Sequence, residues 1–328
     1  MEGSVSEVPP VVVLRPQSGY ANRLQAIASA WLLAEDLGSR LVVDWIPDPM
    51  VAPVQLEDVL DPRVCELLQD SMAEDCSRSS ISSGALAPYL NFDSRSGVLT
   101  LAGLELGEQH FMPELSRLLK SGEVREVLIS AGGKFTLKGG ALLTADEERV
   151  FRQERKLAYA QLPLHPEVEL EARTATRGLP AFHGLHLRYS DRALESPWKR
   201  QITAALTELK NRTEATSLFI ASDSASAKEE WLRKARELGW DPWTSDSDEF
   251  SREDPRSSRS ALLDWRILSR AHSLVFFAAS SFAEEAAVAG GSYERSISLS
   301  ASRARGAWMQ IRKHSSAVRT YPRRHGWL

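Results

Sequence analysis

The chain has 328 residues, too many for one ordinary hydrophobic core and suited to two domains of about 150 residues each. Hydrophobic residues make up 43% and charged residues 26%, which is typical of a globular protein that folds in water. The net charge is −4 at pH 7, so no overall positive field favours a nucleic-acid partner. An anionic ligand would need a local basic pocket.

The cysteines and the N-terminal residues bear on where the protein works. Cys65 and Cys76 form no Cys-x-x-Cys or Cys/His cluster, which argues against a zinc site and a disulfide framework and favours a reducing cytoplasm. Residues 1–10 lack the basic and apolar regions of a signal peptide, and no apolar run is long enough to span a membrane. Arginines outnumber lysines 31 to 9, which is typical of a GC-rich genome and suggests a bacterial source. We therefore expect a cytoplasmic protein.

The chain begins with a predicted βαβ unit. The run VVVL within residues 10–17 predicts a buried strand, and apolar residues at helical spacing predict a helix from Asn22, its N-cap, to Gly38. Residues 41–45 predict the second strand, so we expect a parallel sheet with right-handed crossovers.

The loop between the first strand and the first helix is a candidate ligand site. Such loops lie at the carboxyl edge of the sheet, where open α/β folds bind ligands and helix N-termini attract anions. Gly19, Asn22 and Arg23 are therefore placed like site residues. The alternative for Asn22 is that it only caps the helix.

The middle of the chain is harder to interpret. Residues 56–70 predict one or two helices, residues 98–106 a strand or hairpin, and residues 124–133 a strand. A helix from about residue 145 should break at Pro163 and Pro166, with His165 at the start of a further helix.

We place the domain boundary between residues 160 and 180. The expected division is an N-terminal α/β domain over 1–175, a C-terminal α/β domain over 176–303, and a segment over 304–328 that crosses back onto the first domain.

In the second half, predicted strands and helices alternate again. The polar residues 244–260 predict a mobile loop. The remaining segments alternate, with strands predicted at 184–187, 217–224, 273–281 and 294–299 and helices at 197–212, 226–239, 262–271 and 282–291.

An H-x-R-x-x-D pattern closes the strand at 184–187. His186 and Arg188 are two residues apart and so face the same side of a strand, and Asp191 follows in the loop. An arginine fork is well suited to bind phosphate, so this strand end is a candidate anion site. The alternative is a strand end with a structural salt bridge between Arg188 and Asp191.

Three stretches together resemble one known family. They are SGYANRLQAIASAWLLAEDLGSRLVVDW from Ser18, HLRYSD from His186, and LFIASDS followed by LLDWRILSRAHSLVFFAASSFAEEAA. In this order they resemble the fucosyltransferase superfamily that includes the α1,6-fucosyltransferases, the bacterial nodulation fucosyltransferases and the protein O-fucosyltransferases. The resemblance implies a GT-B fold, with two Rossmann-like domains facing across a cleft. It also implies a GDP-fucose donor and an inverting mechanism that uses neither a metal nor a cofactor.

The resemblance also implies roles for individual residues. Arg188 would grip the β-phosphate and stabilise the charge that develops as GDP leaves. His186 and Asp264 would contact the guanosine, because a carboxylate can accept from the N1–H and the exocyclic amine of guanine. The other donor-binding candidates are Ser280, Ser281 and Phe282 at the phosphates, Asp223 beside the nucleotide, and Gly19, Asn22 and Arg23 facing the sugar or pyrophosphate.

Each of these candidates has a structural alternative. His186 could be a core histidine, Asp264 a solvated helix carboxylate, Asp223 the N-cap of the next helix, and Ser280-Ser281 a simple helix cap.

The chain departs from the family pattern in its opening loop. Ser18 and Ala21 stand where the family usually has glycine, a residue that permits positive φ or a close backbone approach. Side chains at these two positions would change the shape of the sugar pocket. The resemblance therefore specifies guanosine diphosphate more firmly than it specifies fucose. The general base that would deprotonate an acceptor hydroxyl is not evident, and the candidates by position are Asp44, Asp48 and Glu195.

The sequence thus predicts a glycosyltransferase that moves fucose or a related sugar from a GDP-sugar to a hydroxyl of a small molecule or glycan. One alternative is a hydrolase of nucleotides or nucleotide-sugars that uses the same cleft. Another is a non-catalytic nucleotide-binding protein on the same fold. Metallohydrolase and Ser-His-Asp hydrolase motifs are missing from the sequence.

Overall fold

A computed structural model describes residues 9–69, 89–102, 117–119, 121–136, 143–179, 181–188, 196–245, 254–278 and 280–299. No helix among these residues is both long enough and apolar enough to cross a bilayer. The predicted crossing-back segment at 304–328, Asp191, Glu195 and Cys76 lie outside the described residues.

The first sheet is built on the predicted βαβ unit. Its strands are β1 (Val11–Pro16), β2 (Leu41–Val43), β3 (Tyr89–Asp93), β4 (Val98–Ala102) and β5 (Glu126–Ala131), in the order β2-β1-β5-β4-β3. All neighbours are parallel except the hairpin of β3 with β4. Strand β1 lies between β2 and β5, and its β-branched run is largely buried because both faces of the strand are covered.

The longer helices in the described part of the first half surround this sheet or follow it. They are α1 (Tyr20–Asp36), α2 (Pro62–Gln69), α3 (Ala145–Ala160) and α4 (Pro166–Ala175). Thr144 caps α3 in a capping box with Glu147, and His165 caps α4 as the sequence predicts. Gly38 ends α1 with a φ of 61°, a conformation that glycine adopts without strain.

The second sheet is entirely parallel. Its strands are β6 (His183–Leu187), β7 (Ser217–Ser222), β8 (Asp241–Trp243), β9 (Ser273–Phe277) and β10 (Ile297–Leu299), in the order β10-β9-β6-β7-β8. The helices between them are α5 (Ser196–Asn211), α6 (Ala225–Glu237), α7 (Pro255–Arg270) and α8 (Ser281–Gly290). The strand order places β9, β6 and β7 side by side, so their carboxyl ends meet at one edge.

Several sequence predictions about elements were wrong. The first helix begins at Tyr20 with Gly19 at its N-cap, so Asn22 lies inside the first turn and is not the cap. The loop predicted at 244–260 is helical from Pro255, because Asp254 caps α7 and Pro255 takes its first position. Strands β3 and β8 were not predicted.

Helix α3 joins the two halves of the molecule. It packs against α1 of the first half and α8 of the second. The Arg155 guanidinium donates to both carboxylate oxygens of Glu285 at 3.2 and 2.9 Å, and the Tyr159 hydroxyl donates to the same carboxylate at 2.7 Å. Arg155 and Glu285 are almost fully buried. This triad fixes α8 against α3 and, through α3, against α1.

Candidate active site

A cleft of about 340 Å³ lies where the carboxyl ends of both sheets face each other. Its volume falls within the usual range of small-molecule sites. The first half contributes the loop after β1 and Val51, and the second half contributes the ends of β6 and β7, one face of α7, and the start of α8. The lining residues are Ser18, Gly19, Tyr20, Ala21, Asn22, Val51, His186, Arg188, Ala221, Ser222, Asp223, Ser257, Ser258, Ala261, Asp264, Ser281 and Phe282.

The loop after β1 forms one wall of the cleft. Ser18 has a φ of 68° and is the non-glycine residue with positive φ in the described part of the chain. Glycine adopts a positive φ without strain, so Ser18 has the backbone conformation that a glycine would permit here. Gly19 follows in an extended conformation and opens α1, whose first turn presents Asn22 to the cleft.

Arg23 does not line the cleft. Its side chain is buried, donates to the carbonyl oxygens of Ser18 and Ile46 at 2.8 Å each, and lies 4.5 Å from the centre of the Trp45 ring. Arg23 therefore holds the loop that carries Ser18 in place. Contact of Arg23 with a donor sugar stays a prediction.

Tyr20 connects the two walls. Its hydroxyl donates to Ser258 Oγ at 2.7 Å, and both residues are buried. Tyr20 belongs to α1 and Ser258 to α7, so this hydrogen bond crosses between the halves inside the cleft.

His186 lies in the floor of the cleft. Its ring stacks on Phe282 with 5.0 Å between centroids, and Ser280 Oγ lies 3.2 Å from its Nδ1. Burial lowers the pKa of His186 to about 4, opposed by Asp223 and assisted by Arg188. The imidazole is therefore neutral at pH 7. It is a buried histidine, but one that faces the cleft.

Arg188 and Asp223 lie at adjacent strand ends. Arg188 directly follows β6 and Asp223 directly follows β7, and both line the cleft. The capping alternative for Asp223 is wrong, because Ser224 caps α6 and its side chain accepts from the backbone N–H of Ala227. The proposed partner Asp191 lies outside the described residues, so the salt-bridge alternative for Arg188 stays open.

Asp264 is the buried carboxylate of the site. It is 2% exposed, so the alternative of a solvated helix carboxylate is wrong. Ser245 Oγ donates to its carboxylate. Burial raises the pKa of Asp264 to about 6, against the lowering effects of the Lys228 ammonium and the Ser245 hydrogen bond.

The start of α8 completes the cleft. Ser281 and Phe282 line it, whereas Ser280 is buried behind them at the N-cap position and its side chain makes no capping hydrogen bond. Lys134, which follows β5, pairs with Glu284 in the first turn of α8. The N-terminus of α8 and Arg188 thus border the same cleft.

Sequence reasoning predicted Asp264 but missed the rest of the wall to which it belongs. Ser257, Ser258, Ala261 and Asp264 recur at helical spacing on one face of α7. The signal for this face was the dipeptide Asp254-Pro255, a helix start that the polar composition obscured.

The predicted candidates for the general base lie outside the cleft or outside the described residues. Asp44 accepts from Arg15 Nε and Nη2 at 2.8 and 2.6 Å, and Asp48 accepts from the backbone N–H of Met50 at 2.9 Å. Neither residue lines the cleft. In the described part of the chain, no three His, Cys, Asp or Glu side chains form a group that could hold a metal ion.

Comparison with known proteins gives likeness in structure alone. The sequence matches no model of a known protein family and no curated protein. Among solved structures, the chain resembles Bradyrhizobium NodZ α-1,6-fucosyltransferase soaked with GDP-fucose (17% identity, TM-score 0.52, 85% of this chain and 92% of that one). It also resembles a variant of Arabidopsis thaliana FUT1 in complex with GDP (16% identity, TM-score 0.58, 90% and 71%). A third likeness is to POFUT1 in complex with GDP (13% identity, TM-score 0.51, 89% and 98%).

These likenesses bear on the fold. Each covers 85% or more of the chain. The predicted fold class, two Rossmann-like units of the GT-B type, is confirmed, and the predicted resemblance to the fucosyltransferase superfamily is confirmed at the level of that fold.

Proposed function

We propose that this protein is a glycosyltransferase that takes a sugar, fucose or a close relative, from a GDP-sugar and transfers it to a hydroxyl group of a small molecule or glycan. The observation that carries the proposal is the convergence of Arg188, His186, Asp264 and the start of α8 on one cleft of suitable size. The three likenesses support it, because one of those structures was soaked with GDP-fucose and the other two are in complex with GDP. The transfer proceeds with inversion and without a metal.

The base of the nucleotide binds at Asp264. An ionised carboxylate accepts from the N1–H and the exocyclic amine of guanine, and adenine offers no matching pair of donors. His186 and Phe282 form a stacked pair beside it. Because His186 is neutral at pH 7 and its Nδ1 pairs with Ser280 Oγ, its Nε2 is the ring nitrogen left for the nucleoside, as donor or acceptor according to the tautomer.

The diphosphate binds between Arg188 and the start of α8. The arginine fork matches phosphate oxygens, and the helix N-terminus adds N–H donors and a favourable dipole. These groups act most strongly on the charge that builds up on the β-phosphate as the sugar leaves. With Asp44 and Asp48 outside the cleft, the departing phosphate takes the acceptor proton, either directly or through a residue outside the described part of the chain.

A thermal-shift titration with GDP, GDP-fucose, ADP and UDP, without metal, tests donor binding. A ligand that binds only the folded state raises the melting temperature by mass action. We expect GDP and GDP-fucose to raise it and ADP and UDP to leave it unchanged. A larger shift with ADP or UDP would exclude the guanosine assignment. Donor turnover without any acceptor would favour the hydrolase alternative instead.

Replacement of Arg188 tests the chemical step. We expect Arg188→Ala to lower the rate of sugar transfer by about 10²–10⁴-fold, the usual range for losing a group that stabilises developing charge. The exposed Arg200 on α5 provides the matched control, and Arg200→Ala should transfer at the wild-type rate. Unchanged turnover in Arg188→Ala would remove this residue from the mechanism.

A further inference from the structure

The two walls of the cleft differ in charge. The lining side chains that are charged at neutral pH are Arg188, Asp223 and Asp264, and all of them belong to the second half. In the described part of the chain, the first half contributes only uncharged residues to the cleft, namely Ser18, Gly19, Tyr20, Ala21, Asn22 and Val51. A charged group placed against this first-half wall would lose water without gaining a partner. The wall therefore suits an uncharged ligand.

The first-half wall also offers few hydrogen bonds. The Tyr20 hydroxyl already donates to Ser258 Oγ at 2.7 Å. The polar side-chain groups that the described part of this wall leaves for a ligand are the Ser18 hydroxyl and the Asn22 amide. An oligosaccharide carries a hydroxyl on most of its carbon atoms, and each hydroxyl buried without a partner is unfavourable. The wall is thus better matched to a molecule with little polar surface.

Apolar side chains extend this wall beyond the cleft. Val51 belongs to a turn that is closed by two backbone hydrogen bonds between Asp48 and Ala52, at 2.9 and 2.8 Å. Met50, the residue before Val51, is 62% exposed, and Ile46 just ahead of the turn is 49% exposed. Large apolar side chains that are exposed beside a cleft mark a surface that a ligand can cover.

This apolar segment is fixed against the cleft. The buried Arg23 side chain donates to the carbonyl oxygens of Ser18 and Ile46 at 2.8 Å each, so it ties the loop after β1 to the start of the segment. The Val51 carbonyl oxygen lies 3.9 Å from the position that a Cβ on Gly19 would take. The first-half wall and residues 46–52 therefore form one preformed surface.

We infer that the first-half wall and residues 46–52 form the acceptor subsite, and that the acceptor is an uncharged molecule whose hydroxyl is carried on an apolar aromatic or aliphatic body. The inference rests on the proposed function, because the groups assigned to GDP all lie on the second half and leave the first half to the acceptor. The acceptor oxygen bonds to the anomeric carbon of the sugar as the bond from that carbon to GDP breaks, and the hydroxyl proton leaves for the departing phosphate. Apolar contact with the wall holds the body of the acceptor while its hydroxyl reaches the sugar.

Esters of 4-hydroxybenzoic acid provide matched probes, because they share one phenolic hydroxyl and differ only in the alkyl group. Their binding in the presence of GDP is followed by NMR of isotope-labelled methionine methyl groups, with the Met50 signal assigned by its loss in Met50→Leu. We expect the butyl ester to shift this signal saturably and to bind about ten times more tightly than the methyl ester, because its added methylenes are buried. The 4-hydroxybenzoate anion and the trisaccharide cellotriose should leave the signal unmoved. An unmoved Met50 signal with the esters, or tighter binding of cellotriose, overturns the inference.

Two exposed apolar residues give a matched pair of variants. Met50→Ser should weaken binding of the butyl ester about three- to tenfold, because the Met50 side chain covers part of the alkyl group. Leu157 on α3 is 68% exposed and does not line the cleft, so Leu157→Ser should bind the ester like the wild type. Both positions are on the surface, where such changes leave the fold intact. Equal dissociation constants for the two variants, measured by calorimetry, would contradict the role of Met50.

Transfer from GDP-fucose then separates this inference from the proposed function. We expect kcat/KM to rise from the methyl ester to the butyl ester and to be much lower for cellotriose. Faster transfer to cellotriose would overturn the apolar acceptor and support the glycosyltransferase. Ester binding without turnover of GDP-fucose on any acceptor would refute the proposed function, and the Met50 signal would still establish the apolar subsite.

Discussion

Asp264 lines the cleft as a buried carboxylate, and its burial lowers the stability of the folded protein at neutral pH. The folded protein holds its pKa at about 6, above the value of 3.8 for an aspartate in water. Between those values the folded state binds a proton that the unfolded state releases, so stability falls as the pH rises from about 4 to 6 and stays low above it. At neutral pH the ionised carboxylate is therefore unfavourable for folding.

Replacement of Asp264 should separate stability from binding. We expect Asp264→Asn to raise the free energy of unfolding by about 1–3 kcal/mol at pH 7, the scale of a shift of about two pKa units in a buried group. The gain should vanish near pH 4, where wild-type Asp264 is already neutral. Urea denaturation at several pH values checks this, and GDP affinity at pH 7 should fall. A variant less stable than the wild type at pH 7 would contradict it.

The site residues predicted best from the sequence are those at the carboxyl end of a strand or at the start of the helix that follows it. Arg188, Asp223, Ser281 and Phe282 all line the cleft, because the carboxyl ends of parallel strands must share one edge. Tyr20 was not singled out, since its hydrogen bond to Ser258 joins residues 238 positions apart in the chain. No local pattern encodes such a pairing.

At the scale of elements, the contact between α3 and α8 is the feature with the largest energetic consequence. Arg155, Glu285 and Tyr159 satisfy one another in the interior. A buried ion pair contributes little net stability compared with apolar residues, but removing one partner leaves an uncompensated charge. The triad therefore fixes how α8, and with it Ser281 and Phe282, is oriented.

Removing one charge of the triad should lower the free energy of unfolding strongly. Removing both charges should lower it much less. We expect Arg155→Met to lower the free energy of unfolding by about 3–5 kcal/mol, because Glu285 is left charged and buried. The double variant Arg155→Met, Glu285→Gln keeps an acceptor for Tyr159 without the charge and should recover at least half of the loss. Urea unfolding at pH 7 provides the comparison. Equal losses in the single and double variants would show that packing of the arginine side chain matters and its charge does not.

Long, strongly patterned elements could be predicted from the sequence, and short ones could not. β1, α1 and α6 carry enough periodic residues to be recognised. β8 spans three residues, one of them Pro242, and forms only because β7 offers an edge. β3 likewise depends on its pairing with β4.

At the scale of the whole molecule, the two sheets share their interior. One hydrophobic cluster contains Val12 and Ile129 of the first sheet together with Phe219, Leu268 and Phe276 of the second half. Independent domains normally keep separate cores and meet through a smaller, more polar interface. The two sheets are therefore joined by a shared cluster, and a second cluster that includes Leu185, Ile220 and Trp231 lies within the second half alone.

Thermal unfolding should consequently occur in one step. We expect a single calorimetric transition whose measured enthalpy equals the van't Hoff enthalpy, because exposing either sheet removes the packing of the other. Differential scanning calorimetry of the full chain is the measurement. Two separate transitions, or a stable proteolytic fragment that contains only β6–β10, would show that the halves fold independently.

The contacts of α3 with both halves also bear on how fast a ligand can enter and leave the cleft. The loop after β1 and the start of α8 form opposite walls of the cleft, and α3 holds both before any ligand arrives. Enzymes whose domains close over their substrate must wait for reopening, and that wait often limits turnover. Because contacts within the fold hold these walls together, the donor of the proposed reaction would enter and leave without waiting for domains to close and reopen. The slowest event of the proposed reaction would then be the chemical step or a step of the acceptor.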